Sequence, residues 1–437
     1  MYIRLFAQSE TNSAIKRKPR VSAAWRWWAF LLGTAFFGVP AAVSAKVQWD
    51  FSGFASYGVG RLSDSSLELM NYSGGHWSSR SDSIVALQAI AQVGDRWSVT
   101  GQVVGKAFSY DGKSAWTPRL DWLFVSYEAT PDLRLRVGRL RAPLFLFSES
   151  LEVGYSYPWV RPPLNMYANL LEPFSNINGM DVSLQKPIGD VENEFRMFAG
   201  TEKGKYRARK VSLDQSVGFS VQSKWRALTL RYSYDWFRVS IDDPSFVLPR
   251  TLYANYAERL NAPIFLEIAD TLRLDNKVFQ YHSFGAQWEH GAWMVIAEQF
   301  STQGPDRQFS FENDGRYVSL TWQIGNFMPY VTWSDYRSQV QRSINGRIRH
   351  SFEAVPAGSE PLLDFLRNAT IAGMDDVSVY QRSRALGMRW DFIDNADVKL
   401  EFEYFTGMKS TGQMLFDDSK LEPDHVLATT IVFDVVF

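Results

Sequence analysis

The chain has 437 residues with 46 basic and 47 acidic side chains, five histidines and no cysteine, and 15% of it is aromatic. The near-neutral balance excludes a strongly basic nucleic-acid binder, and the lack of cysteine excludes a disulfide framework, thiolate chemistry and a cysteine-ligated metal. High aromatic content beside a mean hydropathy of −0.22 suits a chain that shows an apolar band on one side and a polar surface on the other.

Residues 1–28 carry Arg4, Lys16, Arg17, Lys18, Arg20 and Arg26, followed by a short apolar core from Ala29 to Val39. Val43-Ser44-Ala45 then offers the small residues a signal peptidase needs. We read residues 1–45 as a signal peptide cleaved after Ala45, because the apolar core is too short to cross about 30 Å as a helix. Its removal leaves 40 basic against 46 acidic residues, a net charge of −6. Past residue 45 no stretch of roughly eighteen uncharged apolar residues exists, so no transmembrane helix is expected.

Residues 46–437 read as one domain built from two-residue alternation. Val47, Trp49, Phe51, Ala55, Tyr57 and Val59 share one face, while Gln48, Asp50, Ser52 and Ser56 share the other. Comparable runs predict sixteen strands, at 47–60, 82–93, 97–108, 119–129, 133–140, 179–186, 193–199, 215–222, 228–237, 279–288, 293–301, 315–324, 328–336, 380–391, 397–405 and 425–437. Their connections alternate between short turns, such as Gly94-Asp95, Gly325-Asn326 and Asp394-Asn395, and long segments at 61–81, 109–118, 141–178, 200–214, 238–278, 302–314, 337–379 and 406–424. A soluble sandwich has no need of that rhythm. The fold class it predicts is all-β, a transmembrane antiparallel barrel of about sixteen strands with both ends on the short-turn side.

Several strands declare their lipid face. Leu228, Leu230, Tyr232, Tyr234 and Trp236 oppose Thr229, Arg231, Ser233 and Asp235, and Val398, Leu400, Phe402 and Tyr404 oppose Lys399, Glu401 and Glu403. A charge at the lipid midplane costs about 2–4 kcal/mol, so the charged sets are expected to point inward. Leu120 to Ala129 carries large apolar residues on both faces, and no lumen side is assigned to it.

The strand at 133–140 contains Arg134, Arg136 and Arg139 and runs through Arg141-Ala142-Pro143 into a segment rich in proline and aromatics. Here the chain resembles the Gram-negative outer-membrane porin superfamily, in which a strand end of the type R-x-G-R/Q-x-[RK]-x-P leads into a third extracellular loop folded into the barrel. The resemblance implies a water-filled channel for passive diffusion of small hydrophilic solutes in the outer membrane, a homotrimer and no cofactor. It implies as partners the outer-membrane lipid, lipopolysaccharide and the barrel assembly machinery. The acidic loop motif of the enterobacterial general porins is absent, so their selectivity is not carried over.

Segment 141–178 has its own reason to fold inward: Leu144, Phe145, Leu146, Phe147, Tyr155, Tyr157, Trp159, Met166 and Tyr167 are too apolar for an exposed loop. The alternative is a cap, with the equally long segments 238–278 and 337–379 occluding the mouth. Solute selection would rest on charges facing each other between wall and loop. Candidate bases are Arg134, Arg136, Arg231, Arg389 and Lys399 from the wall with Arg141 and Arg161 from the loop. Candidate acids are Asp235, Glu298, Glu401, Glu403, Glu149, Glu152 and Glu172. The cluster from Arg134 to Arg141 inclines the reading weakly towards anions.

Two rivals share this fold: a barrel lipase or protease, and a non-conducting structural or adhesin barrel. Enzymes of that kind need a nucleophile beside a histidine, and among His76, His282, His290, His350 and His425 only His282 lies within a strand away from its ends. Gly112-Lys113-Ser114 echoes a phosphate-binding loop, but Ala107 stands where the first glycine is required. No metal site is read.

The chain closes on His425 to Phe437, an alternating run that places Leu427, Thr429, Ile431, Phe433, Val435 and Phe437 on one face. At about 3.3 Å per residue it reaches roughly 43 Å, and tilted by about 45° it still crosses a bilayer's hydrocarbon layer. It must pair with the strand at 47–60 to leave no open edge in lipid. The resemblance assigns Phe433, Val435 and the terminal Phe437 to the signal read by the assembly machinery.

Overall fold

The computed structural model describes residues 47–437 apart from 65–67, 70–71, 74, 108–114, 168–174, 207–208, 243–245, 305–310, 341–345, 347–360, 377–378 and 410–424. The expected signal peptide and its cleavage site, and Glu172, fall outside the described residues.

Sixteen antiparallel strands close into a barrel in which each pairs with its neighbours in sequence. They are β1 (Val47–Leu62), β2 (Ile84–Val93), β3 (Trp97–Lys106), β4 (Arg119–Thr130), β5 (Leu133–Arg141), β6 (Asn176–Ile188), β7 (Val191–Tyr206) and β8 (Arg209–Trp225). The second half is β9 (Leu228–Asp242), β10 (Lys277–His290), β11 (Trp293–Gln303), β12 (Phe311–Trp322), β13 (Phe327–Val340), β14 (Val379–Ile393), β15 (Ala396–Lys409) and β16 (His425–Val436). Closure comes from β16 on β1, with Phe54 opposite Val436 and Leu62 opposite Ala428. Phe437 clamps the seam, its N–H donating to Gly53 O at 2.9 Å while Gly53 N–H donates to its carbonyl at 2.7 Å. Backbone pairing at the seam thus continues to the last residue of the chain.

All sixteen expected strands are present, and one expected loop is not. Segment 200–214 is instead the continuation of β7 and β8, paired from Arg209–Tyr206 down to Trp225–Val191 with a bulge near Leu213. Charges on both faces of Thr201 to Lys210 hide its strand character, because this hairpin rises past the apolar band and needs no lipid face. The structure also settles β4: Asp121, Phe124 and Ser126 are buried on the lumen side, whereas Leu120, Leu123 and Val125 are exposed outside.

The outer face carries an aromatic girdle at the short-turn end. Trp97 meets Tyr127 at 4.5 Å, Trp293 stacks on Trp322 at 5.1 Å, and Phe327 stacks on Trp390 at 5.9 Å. These amphipathic rings suit the boundary between lipid and water. The inner face carries rings too, and glycines make room for them. Tyr330 lies across Gly387, Phe198 across Gly218 and Phe300 across Gly315, where an added Cβ would strike the ring in each case.

Two long loops fold as helices at the other end. They hold α1 (Val247–Arg259), α2 (Ile264–Thr271) and α3 (Pro361–Asp376), which share an apolar cluster of Tyr253, Phe265, Ile268, Leu363 and Leu366. Tyr253, Tyr256 and Ala257 fall on one helical face, and Asn261, with φ of 48°, takes the left-handed conformation just past the end of α1. The Tyr253 hydroxyl donates to Leu366 O at 3.0 Å, tying the two loops together. The cap alternative is therefore half realised: these loops cap each other, while the segment after β5 folds inward.

Candidate functional site: the third loop inside the barrel

The loop after β5 enters the lumen and is buried almost throughout, with Trp159 1%, Met166 0% and Leu164 4% exposed. Its backbone polar groups would be orphaned there, and the wall supplies partners. Pro143 O accepts from Arg231 Nη2 and Ser233 Oγ on β9, each at 3.0 Å. Leu146 N–H donates to Glu298 on β11 at 2.8 Å. Gly285 leaves the space into which the Leu146 side chain fits.

The chain then descends the whole depth of the barrel. At its tip a single helical turn, Gly154–Ser156, reaches the short-turn end, where the Tyr155 hydroxyl donates to Asp394 O at 2.6 Å. Lys399 Nζ donates to Gly154 O at 2.6 Å, and Arg389 Nη1 donates to Tyr155 O and Tyr157 O at 2.7 and 3.1 Å. Around this tip lies a buried charge cluster. Arg389 meets Asp391 and Asp397 at 2.7 and 3.1 Å, Lys399 meets Asp434 at 3.0 Å, and the Ser56 hydroxyl donates to Asp434.

The return limb climbs along β11–β14 and the seam at β16. Trp159 Nε1 donates to Ser319 and Thr332 hydroxyls at 2.9 and 3.1 Å, and Arg161 grips Asp82 through two bonds at 2.7 and 2.6 Å and Thr430 at 3.0 Å. Asn165 donates to Ser334 at 2.8 Å and accepts from Gln381 at 2.9 Å. The Tyr167 and Tyr317 hydroxyls both donate to Glu298. Trp159, Phe147, Tyr157 and Phe145 meanwhile pack edge-on or stacked against each other and against the wall rings Tyr281, Phe300 and Tyr317. Since β9 and β16 are seven strands apart in the ring, anchors on both, Arg231 and Ser233 on one and Thr430 on the other, place the loop across the lumen and not along one wall. A cavity of about 170 Å³ remains between the loop and the wall of β1–β3, lined among others by Ser56, Ser83, Lys106, Glu152, Tyr157 and Arg161.

Every expected pore residue among the described ones faces the lumen or the loop, but the pairing differs from the expected facing arrays. Arg134 pairs with Glu128 at 3.2 Å, Arg136 with Asp181 at 2.6 Å, Arg141 with Asp121 at 2.7 Å, and Arg139 with Glu202 at 2.6 Å. The arginine cluster is thus paired strand by strand with acids of the neighbouring strands. Glu149 bridges Arg136 and Arg196, and Glu152 sits between Lys106 and Arg141. Burial alone would raise the Glu152 carboxyl, yet the Lys106 ammonium and Arg141 guanidinium outweigh it and hold it below the usual carboxylate range. Glu401 accepts from Tyr330 at 2.8 Å, Glu403 lies 3.7 Å from Arg161, and Asp235 accepts from Ser216 at 3.0 Å.

Sequence reasoning missed Lys106, Asp121, Asp181, Arg196, Asp397 and Asp434. Alternation carries a signal for some of them, since Phe195 and Met197 flank Arg196 and Phe433 and Val435 flank Asp434. His282 lies on the outer face, opposite Tyr234 on one side and Ser301 on the other, with its Nδ1 bonded to the Tyr232 hydroxyl at 2.9 Å. It offers no base to the lumen.

No protein-family model and no curated protein matches the sequence. Solved structures do match by fold. An anion-selective porin from Comamonas acidovorans aligns with a TM-score of 0.53 at 10% identity, covering 90% of this chain and 100% of that one. The outer-membrane channel DcaP of Acinetobacter baumannii aligns at 0.52 and 9% identity, covering 90% and 99%. Salmonella typhi OmpF, in complex with daunomycin, aligns at 0.51 and 9% identity, covering 88% and 97%. OmpT, an outer-membrane protein of Vibrio cholerae, aligns at 0.50 and 10% identity in its trimer form, covering 90% and 99%. At such identities the likeness is one of architecture, and it spans the barrel end to end: the chain has the sixteen-stranded fold that outer-membrane porins share.

Proposed function

We propose that the protein is an outer-membrane channel for passive diffusion of small hydrophilic solutes, held nearly shut by its third loop, and that it is not an enzyme. The observation that carries this reading is the loop itself, a polar-anchored segment threaded through a closed barrel whose architecture matches channels over its whole length. Export through the signal peptide at 1–45 and a homotrimer belong to the same proposal. The outer faces of β2–β5 suit contact with a second copy: Val85, Leu87, Val99, Val103, Leu123 and Val137 make an exposed aliphatic face there.

A second reading is favoured by the filled lumen, namely a structural barrel that never conducts. Reconstitution into a planar bilayer separates the two. The channel reading expects ohmic steps, small in size because loop three spans the lumen, and folded, heat-modifiable protein that never conducts would overturn it. Around the loop tip Asp391, Asp397 and Asp434 outnumber Arg389 and Lys399 among the described residues, so under a salt gradient the reversal potential is expected to carry the sign of weak cation preference. The opposite sign would return the argument to the arginine cluster.

Assembly provides another check. Deleting Phe437 removes both backbone bonds to Gly53 together with the terminal aromatic. Outer-membrane insertion, measured by heat-modifiable mobility of membrane fractions, is expected to fall at least several-fold while the cleaved chain still reaches the periplasm. Unchanged insertion would refute the assembly role.

A further inference from the structure

On β12, β13 and β14 the outward residues include arginines as well as apolar side chains. Ladder register places these outward residues in rows across β12, β13 and β14. Leu320, Val331 and Leu386 form an apolar row, and Val318, Trp333 and Arg384 form the next towards the loop end. Arg316, Asp335 and Arg382 follow, then Asp314, Arg337 and Tyr380. Four arginines and two aspartates therefore occupy three adjacent strands immediately above the apolar band, a patch of roughly 10 Å by 13 Å at about 4.8 Å between strands and 3.3 Å per residue.

The arginines are accessible, and half of their positive charge is uncompensated. Arg316 pairs with Asp335 at 2.9 Å, and its guanidinium also lies over Trp333 at 5.4 Å. Arg382 lies over the Tyr380 ring at 5.0 Å. Arg337, Arg382 and Arg384 are all exposed, and none has an ion-pair partner within 4.0 Å among the described residues. Arg384 stands between Trp333 and Tyr404 in register, level with aromatics that mark the edge of the apolar band. A guanidinium at that height keeps its stem on lipid chains and lifts its head to the headgroup layer, where a planar fork best satisfies phosphate oxygens.

We propose that the outer face of β12–β14 binds the phosphorylated headgroup of an outer-leaflet glycolipid, lipopolysaccharide, through Arg337, Arg382 and Arg384. Its acyl chains lie along Leu320, Val331 and Leu386. Asp335 orients Arg316 at the edge of the patch and limits its net charge. The proposal rests on the outer-membrane reading but not on conduction.

The test titrates the folded barrel in detergent with purified lipopolysaccharide, with its dephosphorylated form, and with inorganic phosphate as competitor. Removing either the lipid phosphates or the three arginines (Arg337→Gln with Arg382→Gln and Arg384→Gln) is expected to weaken binding at least about tenfold. Asp335→Asn, which adds net charge without removing an arginine, is expected to tighten it and serves if the triple variant does not fold. Paired Arg61→Gln and Arg238→Gln, at the same end on other strands, should leave it unchanged. Equal affinity of wild type and triple variant, indifference to lipid phosphate, or an equal loss in the Arg61 and Arg238 control would each overturn the site. Single-channel conductance of the triple variant is expected to match wild type, so a failure of the channel reading appears in a different readout.

Discussion

Replacing Gly154 by valine is expected to raise single-channel conductance several-fold. An added Cβ there collides with the Asp434 carboxylate and crowds the Ser56 hydroxyl. The carboxylate has no room to swing away, because Lys399 holds it at 3.0 Å and Ser56 donates to it. The loop tip must lift instead. Lifting breaks the charged bond from Lys399 to Gly154 O, worth about 1.5–3 kcal/mol, and the neutral bond from Tyr155 to Asp394 O, worth about 0.5–1.5 kcal/mol. The return limb keeps Arg161 on Asp82, so the barrel is expected to stay folded while its plug loosens. Planar-bilayer recording of wild type beside Gly154→Val checks this. Equal conductance in the two would show that the tip is not the gate, and silence in both would favour the structural barrel.

Lys399→Met is expected to destabilise the barrel by about 3–5 kcal/mol, the range found when one partner of a buried ion pair is removed. Lys399 is 0% exposed and stands between Asp397, also 0% exposed, and Asp434 at 1%. Without the ammonium, three buried carboxylates share Arg389 alone, and Gly154 O loses its donor. Urea unfolding followed by tryptophan fluorescence reads the loss. Adding Asp434→Asn to Lys399→Met is expected to recover part of it, since the double change removes one of the stranded charges. A loss below about 1 kcal/mol would mean that water or rearrangement compensates the cluster, and the account of the tip as a rigid anchor would fail.

These two residues show how unevenly the site was legible. Lys399 was assigned to the lumen from alternation alone, because Val398 and Leu400 flank it and a charge cannot face lipid. Nothing in the sequence near Gly154 announces that it docks against Asp434. The carbonyl that Lys399 caps lies 245 positions away in the chain, and no local period encodes such a meeting. The arginine cluster was legible from one strand, but its partners were not, since Glu128, Asp181, Asp121 and Glu202 sit on β4, β6 and β7. Charge sign along one strand is local, whereas the field in the lumen is a sum over neighbours. Segment 200–214 failed for a different reason. Above the apolar band a strand has no lipid face to display, and its backbone pairing leaves little trace in composition.

What the sequence by itself determined is the barrel: sixteen strands, the in-and-out faces of those that alternate cleanly, the short-turn end that holds both termini of the sheet, and the seam between first and last strand. All of these follow from the cost of exposing charge or unpaired backbone to lipid, a penalty imposed residue by residue. Only the tertiary structure decided how far loop three descends, that it spans the lumen, and which charges cancel. Those outcomes depend on contacts between segments far apart in the chain, where shape and hydrogen-bond geometry choose among many pairings that composition allows equally.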